Sequence, residues 1–286
     1  MRFTNRLAYI VGGSTGIGFA LAGELRRQGA RVVLFARRAE QLARAREQLE
    51  SEYPDKPRGG NSAVSTRTLD VSDRARVEEV FGEVLASEGP PDLLVNSAGY
   101  AQPGRFEERT AADLEASFSV NVLGTWNTVQ VLLDALREGS ATIINISSVA
   151  GLIGIYGLSD YCVTKFGVVG LSEALRQELA PHGVRVHVLC PPDTDTPGLQ
   201  RENETKPAET KAVAGAARRA DPATIARRAL RAVERGRFLI VLDGMSRLAL
   251  LVKSLAPRLF FRIVDGIVRR ARRRTDAGAR TERTVV

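Results

Sequence analysis

The sequence predicts an α/β fold built on one doubly wound parallel sheet, followed by a basic helical tail. Three observations carry that prediction. Short apolar, β-branched runs recur with helical segments between them. The central runs are almost continuously apolar, as in parallel strands covered on both faces. The first run opens directly into a glycine-rich turn and then a helix.

The strands are expected at Leu7 to Val11, Val32 to Phe35, a weaker run at Ser65 to Leu69, Asp92 to Asn96, Thr142 to Ile146, Val184 to Leu189 and Phe238 to Leu242. Between them, Ile17, Leu21 and Leu25 share a helix face that Gly29 terminates. Leu171, Leu175 and Leu179 repeat the pattern before Pro181 and Gly183. The Gly/Pro-rich stretch Pro54 to Ser62 reads as an exposed loop. A catalytic unit over 1–244 and an amphipathic basic tail over 245–286 follow from these patterns.

The 286 residues, 44% hydrophobic and 26% charged, can bury a sizeable core without staples. Cys162 and Cys190 form no CxxC and read as reduced thiols, and His182 and His187 are the only histidines, so neither a disulfide framework nor a metal site is expected. No signal peptide or transmembrane helix is indicated, which points to a cytoplasmic protein. The net charge of +8 is concentrated in residues 258–286, where nine Arg against three acids leave a net +6. That basic run lacks interleaved aromatics on a domain surface, so nucleic acid is not an expected partner.

The turn after the first strand reads Gly12-Gly13-Ser14-Thr15-Gly16-Ile17-Gly18. Gly12 permits a tight turn, Gly16 lets the backbone approach a pyrophosphate, and Gly18 lets the helix pack closely on the strand. The helix N-terminus adds unpaired N–H groups and partial positive charge. This is the dinucleotide site of a Rossmann-type sheet. The second strand ends in Ala36-Arg37-Arg38, with no carboxylate to accept from ribose hydroxyls. Arg37 and Arg38, with Ser14 nearby, instead suit a 2′-phosphate, so the expected cofactor is NADPH (NADP+).

Ser148 follows the fifth strand, Tyr161 lies thirteen residues on, and Lys165 four residues beyond that, on the same helix face. Reducing a ketone requires a hydride on carbon and a proton on oxygen. A free tyrosine titrates near ~10, and the Lys165 ammonium is expected to lower that value. Tyr161 then donates the proton while Ser148 holds the substrate oxygen.

These motifs resemble the short-chain dehydrogenases/reductases. The resemblance spans roughly residues 5 to 245 and rests on Gly12-x3-Gly16-x-Gly18, Asn96-Ser97-Ala98-Gly99, Asn121 and the S-x12-Y-x3-K set. It implies cofactor contacts from Asn96, Ala98 and Gly99, a grip of Lys165 on the nicotinamide ribose, and a water anchored by Asn121. It also implies that Asp70-Val71 lies against the adenine; Asp70 reads equally well as the cap of a helix starting near Ser72. Val11 departs from the pattern, since many members have Thr there, which removes a hydrogen bond near the Asn96 turn.

The segment Cys190-Pro191-Pro192-Asp193-Thr194-Asp195-Thr196-Pro197-Gly198 is expected over the nicotinamide, with Thr194 and Thr196 available to its carboxamide. The polar stretch Leu199 to Thr210 reads as a mobile lid. Together they resemble the branch of the family that reduces a 3-keto sphingoid base, a long-chain amino ketone, with NADPH. Asp193, Asp195, Glu202 and Glu204 are candidates to meet its ammonium. Other lipophilic ketones, such as a steroid or a 3-oxoacyl thioester, are the alternative substrates. A non-catalytic cofactor-binding membrane scaffold is the alternative of another class. Residues 245 to 270 read either as helices lying in a membrane interface at its cytoplasmic face or as a subunit contact; a homo-oligomer is expected from the resemblance.

Overall fold

The expected apolar runs form seven strands: β1 (Leu7–Val11), β2 (Arg31–Ala36), β3 (Val64–Thr68), β4 (Leu93–Asn96), β5 (Thr142–Ile146), β6 (Arg185–Cys190) and β7 (Leu239–Val241). They lie within a computed structural model describing residues 3–54, 63–214 and 219–284; the loop expected at Pro54 to Ser62 falls outside these beyond Pro54. All pairings are parallel, in the order β3-β2-β1-β4-β5-β6-β7.

The connecting helices are α1 (Gly16–Arg27), α2 (Ala39–Glu52), α3 (Arg74–Glu88), α4 (Ala111–Phe118), α5 (Gly124–Val131), α6 (Leu133–Glu138), α7 (Ser159–Leu179), α8 (Pro197–Thr205), α9 (Ala208–Ala214) and α10 (Pro222–Glu234). Alternation along each strand feeds two cores. Ala8 and Ile10 of β1 face Leu21 and Leu25 of α1, Leu49 of α2 and Leu230 of α10. Leu7, Tyr9 and Val11 face the opposite layer, with Phe81 of α3 and Leu136 of α6. There Tyr9, Phe35 and Phe81 stack with ring centroids 5.0–6.2 Å apart, and the Tyr9 hydroxyl donates to the Gly89 carbonyl at 2.6 Å. Each such buried ring stabilises the fold by about 1.5–3 kcal/mol.

Strand order reverses at β1, between β2 and β4. Chains leaving the carboxyl ends of these strands diverge and open a crevice there. The face of α7 toward the sheet differs from expectation. Leu171 and Leu175 are only half-buried, whereas Thr164, Val168 and Ser172 are almost fully buried. Polar groups point inward because this helix covers the end of the sheet, where the Asn145 amide donates to Ser172 at 2.9 Å.

The stretch expected as a mobile polar lid is instead α8 and α9, with Lys206, Glu209 and Thr210 buried. Their partners are distant in sequence. Arg105 Nη2 pairs with Glu209 Oε1 at 3.1 Å, and the Thr210 hydroxyl donates to the Tyr156 carbonyl at 2.8 Å. After β7 come α11 (Gly244–Leu255) and α12 (Pro257–Thr284), and α12 packs on both α9 and α11. Among the described residues no helix is long and apolar enough to cross a membrane.

Candidate active site

One cleft of about 720 Å³ runs along the carboxyl ends of the strands. Its floor is the turn after β1. Gly12 and Gly16 hold φ of +80° and +61°, which favours glycine. A Cβ on Gly12 would lie 2.5 Å from the Ala98 nitrogen, and one on Gly18 2.3 Å from the Gly12 carbonyl oxygen. Gly18 thus packs α1 against the turn and does not face the cleft, while Ser14, Thr15, Gly16 and Ile17 line it. Thr15 precedes α1 without capping it by its side chain, so the first N–H groups of α1 remain available to an anion. A side-chain-free cradle closed by a helix N-terminus fits a dinucleotide pyrophosphate.

Arg37 and Arg38 line the same cleft at the end of β2. Arg37 Nη1 lies 3.9 Å from Asp70 Oδ2, and both side chains are largely exposed. Asp70 does not cap the next helix. It accepts from the Ser72 N–H at 3.0 Å and the Ser72 hydroxyl at 2.6 Å, while Asp73 caps α3 by accepting from the Arg76 N–H. Val71 forms the adjoining wall, held by the Asn127 amide donating to its carbonyl at 3.0 Å.

Ala98 and Gly99 line the cleft, but Asn96 lies beneath it. Its amide donates to Asn145 Oδ1 at 2.9 Å, and its oxygen accepts from the Thr128 hydroxyl at 2.8 Å. Asn96 therefore braces three elements, and its buried side chain does not line the cleft, where a cofactor contact was expected. The same bonds secure the turn that Val11, lacking a hydroxyl, cannot reach by its side chain.

Ser148, Tyr161 and Lys165 all open on the cleft. Ser148 ends the segment after β5, its hydroxyl accepting from the Ala150 N–H at 3.1 Å. Its neighbour Ser147 is buried and donates to the Lys165 carbonyl at 2.9 Å, tying the segment to α7. Lys165 Nζ donates to the Ile146 carbonyl at 3.0 Å and stands 5.6 Å from the centre of the Tyr161 ring. Burial pushes this amine down to about 8, against the opposing pull of Cys190 and Glu202. The expected depression of Tyr161 is reversed: burial, reinforced by Glu202, holds the phenol above its ordinary value, with Ser148 opposing. Burial disfavours the phenolate, and the Lys165 amine is turned to the Ile146 carbonyl.

Asn121 sits in a π-helical turn (Ser119–Leu123) between α4 and α5, a geometry that often marks functional sites. Its oxygen accepts from the Tyr100 N–H at 3.0 Å, and its amide donates to the Tyr100 carbonyl and to the Thr164 hydroxyl. The side chain thus fastens the Gly99-Tyr100 strip to α7 beside Lys165.

The segment after β6 brings Pro191, Thr194 and Thr196 to the cleft. Both threonine hydroxyls already have partners. Thr194 donates to the Pro192 carbonyl at 2.8 Å, and Thr196 accepts from the Leu199 N–H at 3.2 Å to cap α8. The four candidate acids separate clearly. Asp195 pairs with Arg219 at 3.8 Å, and Glu204 is exposed away from the cleft. Asp193 and Glu202 line it, with Asp193 3.3 Å from the buried Lys206 amine. Burial raises the Glu202 carboxyl to about 7, although Lys206 lowers it. Gln41, Tyr100 and Leu158 also line the cleft, and so do apolar residues of α11 and α12. Gln41 lies in the first turn of α2, close after Arg37 and Arg38 in the chain, and nothing in the sequence pattern singled out it or the others.

The family model for short chain dehydrogenases matches residues 6–207. The chain belongs to this family. As a short-chain dehydrogenase/reductase it is an NAD(P)-dependent oxidoreductase. It is 36% identical to 3-ketodihydrosphingosine reductase of Mus musculus over 231 residues, 80% of this chain and 68% of the relative. Among solved structures, a short-chain dehydrogenase/reductase from Burkholderia phymatum in complex with NAD aligns with TM-score 0.78 and 26% identity, over 91% of this chain and 96% of that one. An alcohol dehydrogenase from Thermococcus sibiricus, complexed with 5-hydroxy-NADP, aligns with TM-score 0.68 and 28% identity, over 80% and 90%. Those two neighbours thus hold nicotinamide cofactors of the unphosphorylated and the phosphorylated kind.

Proposed function

We propose that this short-chain dehydrogenase/reductase reduces the ketone of a long-chain amino ketone, 3-ketodihydrosphingosine, to dihydrosphingosine with NADPH. The observation that carries the substrate reading is Glu202. It is a half-buried carboxyl on the substrate side of the cleft, close enough to Tyr161 to raise the phenol by its charge. A carboxylate so desolvated is stabilised by a cation, and an amine next to the reacting ketone supplies one. The names of the similar reductases agree with this reading.

Gly12, Ser14, Thr15, Gly16 and Ile17 would cradle the cofactor pyrophosphate, with Asp70, Val71, Ala98 and Gly99 along the adenosine and Pro191, Thr194 and Thr196 beside the nicotinamide. Arg37 and Arg38 would take the 2′-phosphate. When bound, NADPH supplies the hydride to the carbonyl carbon. Tyr161 gives its proton to the carbonyl oxygen, so that ketone, hydride and proton together make the alcohol. A phenol held neutral by burial is in the correct form to be that acid. Ser148 donates a hydrogen bond to the same oxygen as charge develops on it. Lys165 restores charge balance around the phenol, and Asn121 positions the strip beside it.

The chain is further read as a homo-oligomer that touches a membrane peripherally, on its cytoplasmic face, through the exposed Leu251, Leu255 and Leu259 of α11 and α12, among which Arg258 and Arg262 are interspersed. The deciding assay is NADPH consumption with product analysis on 3-ketodihydrosphingosine, a 3-oxosteroid and a 3-oxoacyl thioester. The amino ketone should give the highest kcat/KM, with NADPH more efficient than NADH. A higher kcat/KM for either competitor defeats the substrate reading.

A further inference from the structure

We infer that α11 and α12 form the channel that binds the alkyl chain of the substrate, so that the basic tail is a wall of the active site. The inference rests on the proposed lipid ketone but adds where its chain lies.

The cleft that holds Ser148 and Tyr161 continues, without interruption, to these two helices. The residues α11 contributes beyond its capped first turn are Leu248, Ala249 and Val252. Those from α12 are Phe260, Ile263, Val264 and Ile267. Each set follows the three- and four-residue spacing of a single helix face. Each stripe extends for several ångströms along its helix, on the order of 6–10 Å. The basic groups of the same helices, among them Arg247, Arg258, Arg262 and Arg269, do not line the cleft. On the substrate side the cleft is therefore polar around Ser148, Tyr161 and Glu202 and hydrocarbon along these two stripes of α11 and α12. That division matches a molecule with a compact polar head and a long saturated chain, and it does not match a polycyclic ketone with polar groups at both ends.

The wall is fixed to the body of the protein. Lys253 Nζ donates to the Leu152 carbonyl at 2.6 Å, four residues after Ser148, and stands 5.4 Å from the Phe166 ring centre. Arg247 Nε donates to the Val241 carbonyl at 2.8 Å, and Asp243 caps α11 by accepting from the Ser246 N–H. Phe260 is 7% exposed, and α12 lies along α9. Both stripes thus keep their place relative to Tyr161. Met245 and Leu248, 72% and 54% exposed, stand where the channel meets solvent.

The test uses full-length protein and a series of 2-amino-3-ketones whose chains grow by two methylenes, each kept below its micelle concentration. Burial of each methylene should raise kcat/KM about fourfold, until the chain outgrows the channel and the rise stops. In Val252→Asp and in Ile267→Asp the ratio of long-chain to short-chain kcat/KM should collapse at least tenfold. Thermal protection by NADPH shows that each variant is folded. As a readout independent of turnover, calorimetry of the amino alcohol products on the enzyme with NADPH, a pair that has no hydride acceptor, should give the same dependence on chain length. A flat chain-length profile in the wild type, or an unchanged ratio in both folded variants, overturns the channel. Ketones lacking the amino group serve to separate the two readings. If they are reduced as well as amino ketones of equal length, the substrate head is wrong while the chain-length slope still supports the channel.

Discussion

Tyr161→Phe removes the phenol oxygen and leaves the ring that packs beside Leu158 and Ala150. Reduction should fall by roughly 10²–10⁴ while NADPH still protects the protein against heat; retention of wild-type turnover would remove Tyr161 from the proton path. Glu202 allows a sharper test, because two groups bound the working pH. Burial raises Glu202 to about 7, with Asp193 adding to the rise and Lys206, Lys165 and Arg201 opposing it. Below that pH the carboxyl is neutral and loses the substrate ammonium. Burial lowers Lys165 to about 8, above which its charge is lost. For the amino ketone, kcat/KM should therefore peak between these two values, falling on the acid side through Glu202 and on the alkaline side through Lys165. Glu202→Gln should abolish the acid limb and raise KM for the amino ketone by roughly tenfold or more, with little change for a ketone lacking the amine. An acid limb that persists in Glu202→Gln assigns it to another group. Glu202 could not be singled out from Asp193, Asp195 and Glu204 in the sequence, since only the fold decides which acid is desolvated.

The turn between β1 and α1 was legible because its constraints are local. Gly12, Gly16 and Gly18 stand there for reasons of backbone angle and close approach that spacing alone conveys. Gly18→Ala would place a methyl 2.3 Å from the Gly12 carbonyl oxygen, within backbone that has no room to move. The helix must shift, at a cost of about 1–3 kcal/mol, and calorimetry should record a lowered Tm together with weaker NADPH binding. An unchanged Tm would mean that the turn tolerates more than its packing suggests. The opposite case is Leu199 to Thr210. Its polarity read as a mobile loop because Glu209 and Thr210 find their partners Arg105 and Tyr156 at separations of 104 and 54 residues, in no pattern that periodicity records. Asn96 shows the same limit in a conserving direction: its motif was recognisable, but its side chain braces Asn145 and Thr128 and makes no approach to the cleft. At the end of β2, Arg37 was readable by position, and Arg37→Ala should cost roughly 10–100-fold in kcat/KM with NADPH and far less with NADH. Equal losses with both cofactors would show that Arg37 does not read the 2′-phosphate.

At the scale of the molecule, one apolar surface is left on the side of the sheet away from α1 and α10. Leu123 and Trp126, 43% and 49% exposed, lie at the start of α5. Val163 and Phe166, 53% and 42% exposed, lie on the adjoining stretch of α7. The π-helical turn that leads into α5 packs on α7, with Gly167 against Val122, so Leu123 of that turn stands beside the α7 stretch that carries Val163 and Phe166. Contiguous exposed rings of this kind mark contact surfaces in soluble proteins. The face borders the active site, because Tyr161 and Lys165 stand on the same helix as Val163 and Phe166, turned toward the cleft. Self-association through it would hold α7 rigidly and fix the spacing of Tyr161 and Lys165. Sedimentation equilibrium should accordingly find a closed homo-oligomer at micromolar concentration, and Trp126→Glu combined with Val163→Glu should shift it toward monomer by placing charge on a surface that must desolvate. Truncation before α11 removes Lys253 from beside Phe166 but leaves Leu123, Trp126 and Val163, and should leave that assembly intact; a monomeric truncated protein would assign the subunit contact to the tail.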